Sequence, residues 1–328
     1  MKNLVVTRSI ANALLCMFFY GNLKSMAFSL PRRRGRIESC CLLATTTSPT
    51  TTRYTIDTPP IDRELLQSTV YKSLANFDRY LNARPVAAHT REAFEQFQAE
   101  LTKDDNGSLA TTTPLILDSG CGTGRSSLVL GEKFPHCLVV GVDRSIDRLG
   151  RTARYLSPEN SEQQQGEDEP SSNRRHVQRV RDNVILVRAE LVHFWRLWWQ
   201  HGLVAEQHYL LYPNPYPKKS RLKQRWYAHP SFPLLLLVSA GNPLILRSNW
   251  KQYLQEFADA IVLSASLDVD EDSDSARASQ VAKRYHSTAR LGPVLRTPGE
   301  AWTNFEQKYD TIGEATFELL LRENECVN

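Results

Sequence analysis

The run Leu117-Asp118-Ser119-Gly120-Cys121-Gly122-Thr123-Gly124-Arg125 constrains this chain more than any other segment. Pro114-Leu115-Ile116-Leu117 is apolar and bounded, as a strand buried on both faces of a parallel sheet is, and Ser126-Ser127-Leu128-Val129-Leu130 opens a helical pattern. The three glycines at alternate positions therefore fall in a strand-to-helix turn. There the backbone can take positive φ, and a ligand can approach without meeting a Cβ. Spacing separates two chemistries. A dinucleotide fold uses G-x-G-x-x-G to seat pyrophosphate on a helix N-terminus, whereas this pattern is G-x-G-x-G behind an acid that would repel pyrophosphate. The loop suits a nucleoside with a charged sulfonium tail.

The next apolar run, Cys137-Leu138-Val139-Val140-Gly141-Val142, ends in Asp143. That acid lies about twenty residues past the loop, where a carboxylate can accept hydrogen bonds from both ribose hydroxyls. Asp118 has two readings: it holds the ammonium end of an amino acid through water, or it caps the following loop amides. Further strands are predicted at 183–187, 207–211 and 243–247, with helical segments between them, and 315–321 alternates with period two as an antiparallel strand at the sheet edge. Leu65 to Leu81 and Thr90 to Leu101 carry helical spacing and predict an N-terminal helical cap. The alternation implies an α/β fold, a doubly wound and mostly parallel sheet.

Ligands of such sheets lie at the carboxyl ends of the strands, so the residues after each run are the candidates. Glu190 follows the third and is placed to meet an adenine amino group. Tyr212-Pro213-Asn214-Pro215-Tyr216-Pro217-Lys218-Lys219 follows the fourth, and Ser248-Asn249-Trp250 the fifth. Three prolines fix φ at alternate residues, making a stiff loop that holds out one amide and one aromatic ring, a pairing suited to the edge and face of a planar heterocycle. The cationic run through Lys218, Lys219, Arg221 and Arg225 then offers phosphate contacts.

With these segments in view, the chain resembles the tRNA (guanine-N7-)-methyltransferases over roughly residues 112 to 322. The resemblance rests on Asp118 to Arg125, Tyr212 to Lys219, Arg247-Ser248-Asn249-Trp250 and Thr303-Asn304-Phe305-Glu306. It implies a Rossmann-like methyltransferase fold with a seven-stranded sheet, S-adenosylmethionine as cofactor and tRNA as partner. By resemblance Asp118, Asp143 and Glu190 occupy the cofactor positions, and Asn214, Lys218, Asn249, Thr303 and Glu306 the substrate positions; from the residues themselves Gly120, Gly122 and Gly124 join the cofactor set, Asn214, Tyr216 and Glu306 are the catalytic candidates, and Lys219, Arg221 and Arg225 are further substrate contacts. The family usually has aspartate where this chain has Asn214 and Asn249, and tryptophan in place of Tyr216. Guanine N7 has an exposed lone pair and no proton to lose, so a carboxylate is not obligatory for the chemistry. Rival readings are methylation of an exocyclic amine, which the Asn-Pro-Tyr step suggests, an RNA-binding relative without turnover, and a dinucleotide oxidoreductase.

Composition excludes other classes. Six cysteines (Cys16, Cys40, Cys41, Cys121, Cys137, Cys326) form no C-x-x-C pair and no zinc-like spacing with histidine, so neither a metal site nor a disulfide framework is expected. Cys121 reads as a small side chain rather than a nucleophile. Residues 1–56 hold eight of the 40 Lys and Arg but one of the 36 Asp and Glu, so the remainder is −3 rather than +4. That segment joins an apolar stretch from Ile10 to Tyr20, too short to span a bilayer, to an arginine- and hydroxyl-rich tract, and Ala27-Phe28 resembles the cleavage step of algal plastid presequences. The expected organisation is a targeting segment at 1–56, a helical region at 57–111 and a methyltransferase domain at 112–328. Acidic inserts at 157–173 and 268–275 read as disordered surface loops.

Overall fold

The structure is a computed structural model that describes residues 60–101, 113–156, 176–266, 273–285, 288–297 and 299–323. The expected targeting segment and the acidic insert at 157–173 lie outside them. The second insert lies outside them only to residue 272, because Asp274 and Ser275 already belong to a helix.

Three helices come first: α1 (Arg63–Ala75), α2 (Phe77–Ala83) and α3 (Ala88–Leu101). Asp62 caps α1, its Oδ1 accepting from the amides of Glu64 and Leu65 at 2.9 and 3.2 Å. Leu66, Val70 and Leu74 form its buried stripe at helical spacing, and Phe77 at the start of α2 is buried beyond it. The sequence pattern from Leu65 to Leu81 reads as one helix, but the backbone breaks at Asn76, whose φ is −111°.

Strands and helices then alternate: β1 (Leu115–Ser119), α4 (Arg125–Lys133), β2 (Leu138–Asp143), α5 (Ile146–Leu149), α6 (Ala153–Leu156), β3 (Val177–Arg181), β4 (Val184–Arg188), α7 (Leu191–Gln200) and β5 (Gln207–Leu211). They continue as α8 (Phe232–Ser239), β6 (Leu244–Ser248), α9 (Lys251–Ser266), α10 (Asp274–Tyr285), β7 (Arg290–Pro293), α11 (Asn304–Thr311) and β8 (Phe317–Leu321). The sheet has the order β3-β4-β2-β1-β5-β6-β8-β7. Strands β4, β2, β1, β5 and β6 run parallel, and β3, β7 and β8 pair antiparallel with their neighbours. Every residue of β2 and of β6 is buried, which is why these strands read as unbroken apolar runs. This is a doubly wound, mostly parallel, Rossmann-like sheet.

Two details differ from the sequence expectation. The sheet has eight strands rather than seven, because Val177–Arg181 folds back on β4 as an antiparallel hairpin strand. Strand β8 lies inside the sheet between β6 and β7, not at its edge.

The cap is welded to the sheet layer. Phe94 and Phe97 of α3 pack on Phe194 and Trp198 of α7 with ring centroids 5.3 to 5.9 Å apart. Among the described residues no helix is long and apolar enough to cross a membrane. Strand order reverses between β1 and β5, and the carboxyl ends of β1, β2, β4 and β5 define one crevice.

Candidate active site

At the end of β1 the chain turns sharply back. Gly120, Gly122 and Gly124 have φ of 76°, 60° and 74°, and the amides of Gly120 and Cys121 both donate to the Val142 carbonyl of β2, at 2.8 and 3.1 Å. A Cβ at Gly120 or Gly122 would meet no protein atom within 4 Å, so both face open space. Gly124 differs from the expected cofactor contact. A Cβ there would sit 2.9 Å from Leu186 and 3.0 Å from the Thr152 hydroxyl, so this glycine lets the loop pack on β4.

Asp143 braces the turn. Its Oδ2 accepts from the Gly122 amide at 3.1 Å, while Oδ1 accepts from the Ser145 amide at 2.8 Å and pairs with Arg148 at 3.0 Å. Asp118 is 1 % exposed; its Oδ2 accepts from the hydroxyls of Ser126 and Ser127 at 2.6 and 2.7 Å, and its Oδ1 is buried without a partner. It therefore ties β1 to the first turn of α4 through side-chain hydroxyls rather than through loop amides. Burial pushes its carboxyl up to about 6; the two serine hydroxyls oppose the shift and Asp143 adds to it. The Cys121 thiol is likewise pushed well up by burial, with Asp118 and Asp143 adding, which leaves it an inert small side chain.

Beneath the crevice floor, the Ser119 hydroxyl meets His208 Nε2 at 2.7 Å and accepts from the Trp195 indole at 2.9 Å; His208 Nδ1 lies 2.8 Å from the Ser239 hydroxyl. Burial lowers the His208 ring to about 3. This neutral chain fixes β1 against β5.

Two cavities open along the carboxyl ends of the strands. One, of about 590 Å³, is lined by Gly120, Asp143, Glu190 and Tyr216, among others, and also by Tyr80 and Arg84 of the helical cap. The other, of about 730 Å³, is lined by Gly122, Arg125, Arg151, Asn249, Thr303 and Phe305, among others. Both volumes fall in the range of small-molecule sites. The cavities share Gly120, Arg148, Leu211, Tyr212, Pro213 and Asn214, so they meet at the proline loop. Glu190 reaches the first cavity while capping α7, its Oε2 accepting from the His193 amide at 3.0 Å.

The loop is strained and pinned. Tyr212 and Tyr216, at φ 52° and 44°, are non-glycine residues in left-handed backbone at its two ends, a conformation that costs about 1 to 3 kcal/mol and persists only where the surroundings enforce it. Asn214 Oδ1 accepts from the Tyr216 amide at 3.2 Å, closing a local turn. Arg225 does the enforcing: Nε donates to the Tyr216 carbonyl and Nη2 to that of Pro217, each at 3.1 Å, while Nη1 pairs with Glu256 at 2.8 Å. At 2 % exposure and stacked 4.8 Å from the Trp250 ring, Arg225 cannot serve phosphates as its place in a cationic run suggested. Lys218, Lys219 and Arg221 are exposed on the short 3₁₀ turn beside it and line neither cavity.

Glu306 also departs from expectation. Fully buried, its Oε1 accepts from Arg247 at 3.0 Å and from the Tyr212 hydroxyl at 3.1 Å, and its Oε2 accepts from the Trp302 amide at 2.6 Å. Thr303 caps α11, its hydroxyl accepting from the Glu306 amide at 3.0 Å. Thr303 thus caps the helix as the T-x-x-E spacing signals, while Glu306 reaches back to the Trp302 amide, one residue before the cap, and neutralises a buried arginine. Thr303 and Asn249 do line the second cavity.

Sequence reasoning missed the aromatic wall. Tyr212, Phe305 and Tyr309 stack with centroids 5.9 to 6.4 Å apart along the second cavity, and Phe305 is 53 % exposed. It missed Arg125, Arg148 and Arg151 on the same wall as well. Among the described residues, no group of His, Cys, Asp and Glu is arranged to hold a metal.

A family model, Methyltransf_4, described as "Putative methyltransferase", matches residues 112–319, more than half of the chain. Among solved structures, an antibiotic-related methyltransferase is 9 % identical with a TM-score of 0.39, covering 70 % of this chain and 94 % of its own. A variant of the 16S rRNA (adenine(1408)-N(1))-methyltransferase from Catenulisporales acidiphilia, with cosubstrate SAM, is 15 % identical with a TM-score of 0.37, covering 72 % and 93 %. The antibiotic-resistance methyltransferase Kmr is 19 % identical with a TM-score of 0.34, covering 70 % and 93 %.

Proposed function

The chain belongs to the methyltransferase family Methyltransf_4, that of the tRNA (guanine-N7-)-methyltransferases, and we propose that it methylates N7 of a guanine in tRNA. One observation carries the acceptor assignment. The cavity beside the loop combines an aromatic wall with three arginines and contains no aspartate or glutamate. Arginines favour a polyanion, stacked rings favour a base, and the absence of a general base suits a nucleophile with no proton to remove. A hydroxyl acceptor would lack a carboxylate to take its proton.

The residues of the other cavity fit S-adenosylmethionine. Open space stands where a Cβ at Gly120 would project, and Asp143 and Glu190 flank it at the ends of β2 and β4. When bound, the cofactor supplies a sulfonium-activated methyl group. The chain's own part is alignment. The Arg225 clamp and the two strained tyrosines hold Asn214 where the cavities meet. The turn to Tyr216 leaves the Asn214 amide Nδ2 and one carbonyl lone pair free to orient the purine edge. Glu306, spent on Arg247, does not face the positive charge that methylation leaves on the purine.

Purified full-length chain, incubated with methyl-labelled cofactor and total tRNA and followed by nucleoside mass spectrometry, tests this reading. Label in 7-methylguanosine is expected. Label in 1-methyladenosine or N6-methyladenosine would overturn the acceptor assignment, and cofactor binding without any labelled product would favour the RNA-binding relative. The plastid destination drawn from residues 1–56 belongs to the same proposal, with imaging of a fluorescent fusion as its test.

A further inference from the structure

The first cavity is not closed by the family-matched segment alone. Tyr80 of α2 and Arg84 just past its end, which lie ahead of residue 112, line it beside Glu190, His193, Trp226 and His229. The Tyr80 ring meets His229 edge-on at 6.1 Å, and the Arg84 guanidinium stands 5.2 Å from the Tyr80 centroid. Burial, opposed by Arg84 and reinforced by Glu190, holds the Tyr80 phenol above its usual range, which puts all three side chains in one neighbourhood.

This wall is fastened to the sheet layer. Arg196 of α7 donates through Nη1 to the carbonyls of Leu81 and Arg84, both at 2.7 Å, so one guanidinium fixes the end of α2. The Ala87 amide donates to His193 Nδ1 at 3.4 Å, and the Glu190 amide donates to the Thr90 hydroxyl at 3.2 Å. The cap and α7 are therefore joined by hydrogen bonds, and the residue best placed for an adenine amino group is itself held by the cap.

We propose that the helical cap is a working part of the cofactor site: Tyr80 supplies an aromatic face for the adenine, Arg84 covers that face from the rim, and Arg196 is the positioning residue that holds both. The proposal rests on S-adenosylmethionine being the cofactor. An aromatic ring against a planar base is a recurring, substantial contribution to nucleoside affinity, and a guanidinium over the stack adds to it.

Calorimetric titration of the full-length chain with S-adenosylhomocysteine tests the assignment without any acceptor. Tyr80→Ala is expected to weaken binding about tenfold and Arg84→Ala about threefold, while Tyr80→Phe stays within about twofold because the ring is kept. Circular dichroism melts report whether each variant is folded. Arg84 is exposed, so its variant keeps the test open if Tyr80→Ala proves unstable. Affinity within twofold of the unaltered chain for both folded alanine variants would overturn the proposal alone. No binding by the unaltered chain would overturn the cofactor assignment and the proposal together.

Discussion

Arg247 donates to the fully buried Glu306 at 3.0 Å while its guanidinium lies 3.9 Å from the Trp302 ring centroid, so one charge on β6 is matched by a carboxylate at the start of α11 and by an aromatic face. Glu318 of β8 adds a second carboxylate at 2.8 Å. The two acids, opposing the effect of burial, hold the guanidinium pKa above its usual value. The pairing joins β6 and α11, which both border the proposed acceptor cavity, to β8.

Glu306→Ala leaves a buried guanidinium short of a partner and is expected to cost about 3 to 5 kcal/mol, read as a lower urea midpoint. Affinity for S-adenosylhomocysteine in the folded fraction is expected to stay near that of the unaltered chain, because Glu306 lines neither cavity. A large loss of that affinity with stability intact would contradict the structural role.

Asp118 predicts a stability difference that grows with pH. Its carboxyl titrates at about 6 in the folded chain against 3.8 ordinarily, so the folded state holds the proton more tightly. The resulting stabilisation is full below 3.8 and is lost as pH rises through about 6. Asp118→Asn removes that loss, and its urea-unfolding free energy should exceed that of the unaltered chain by up to about 3 kcal/mol at pH 7, with the gap closing near pH 4. A gap that is constant with pH would disprove the shift.

His208 runs the other way. Its ring is lowered from 6.5 to about 3, so its stabilising contribution is complete above 6.5 and is lost as pH falls toward 3. In an NMR titration its ring resonances are expected not to move between pH 8 and pH 5.

The loop glycines should separate by phenotype. Gly124→Ala forces a Cβ against Leu186 and Thr152 as well as an unfavourable φ, and is expected to lose more than about 1 kcal/mol of stability. Gly120→Ala bears the φ penalty alone but intrudes on open space, so its larger effect should appear as weaker S-adenosylhomocysteine binding by calorimetry.

Asn214→Asp is the acceptor-side test of the proposed function. A carboxylate acceptor strengthens a hydrogen bond to a base edge by about 1 to 2 kcal/mol. The variant should lower KM for tRNA about tenfold and leave kcat within a few fold; an unchanged KM would remove Asn214 from the acceptor contact.

What was readable in the sequence was local. Gln207–Leu211 is the predicted strand residue for residue, a short run bounded by turn residues whose His208 is buried with hydroxyl partners at both ring nitrogens. Strand β3 was not readable, since Val177 is its one buried residue and its pairing depends on the hairpin with β4. The misassigned site residues share a cause. Glu306 and Arg225 carry motif spacing that suggests a ligand, and their true partners, Arg247 and Glu256, lie 59 and 31 residues away. Burial of a charge is settled by such distant pairings. Tyr80 and Arg84 escaped notice for the same reason, because helical spacing in the cap says nothing of which crevice it borders.

The internal position of β8 sets an order of events during synthesis. Strand β6 has an open flank, and β7 no neighbour at all, until Phe317–Leu321 has been made. Arg247 leaves the ribosome 71 residues before Glu318, the second of its two acids. A nascent chain can therefore pair the parallel strands through β6 as it emerges, but the antiparallel flank beyond β6, with the second acid for Arg247, must wait for the last strand.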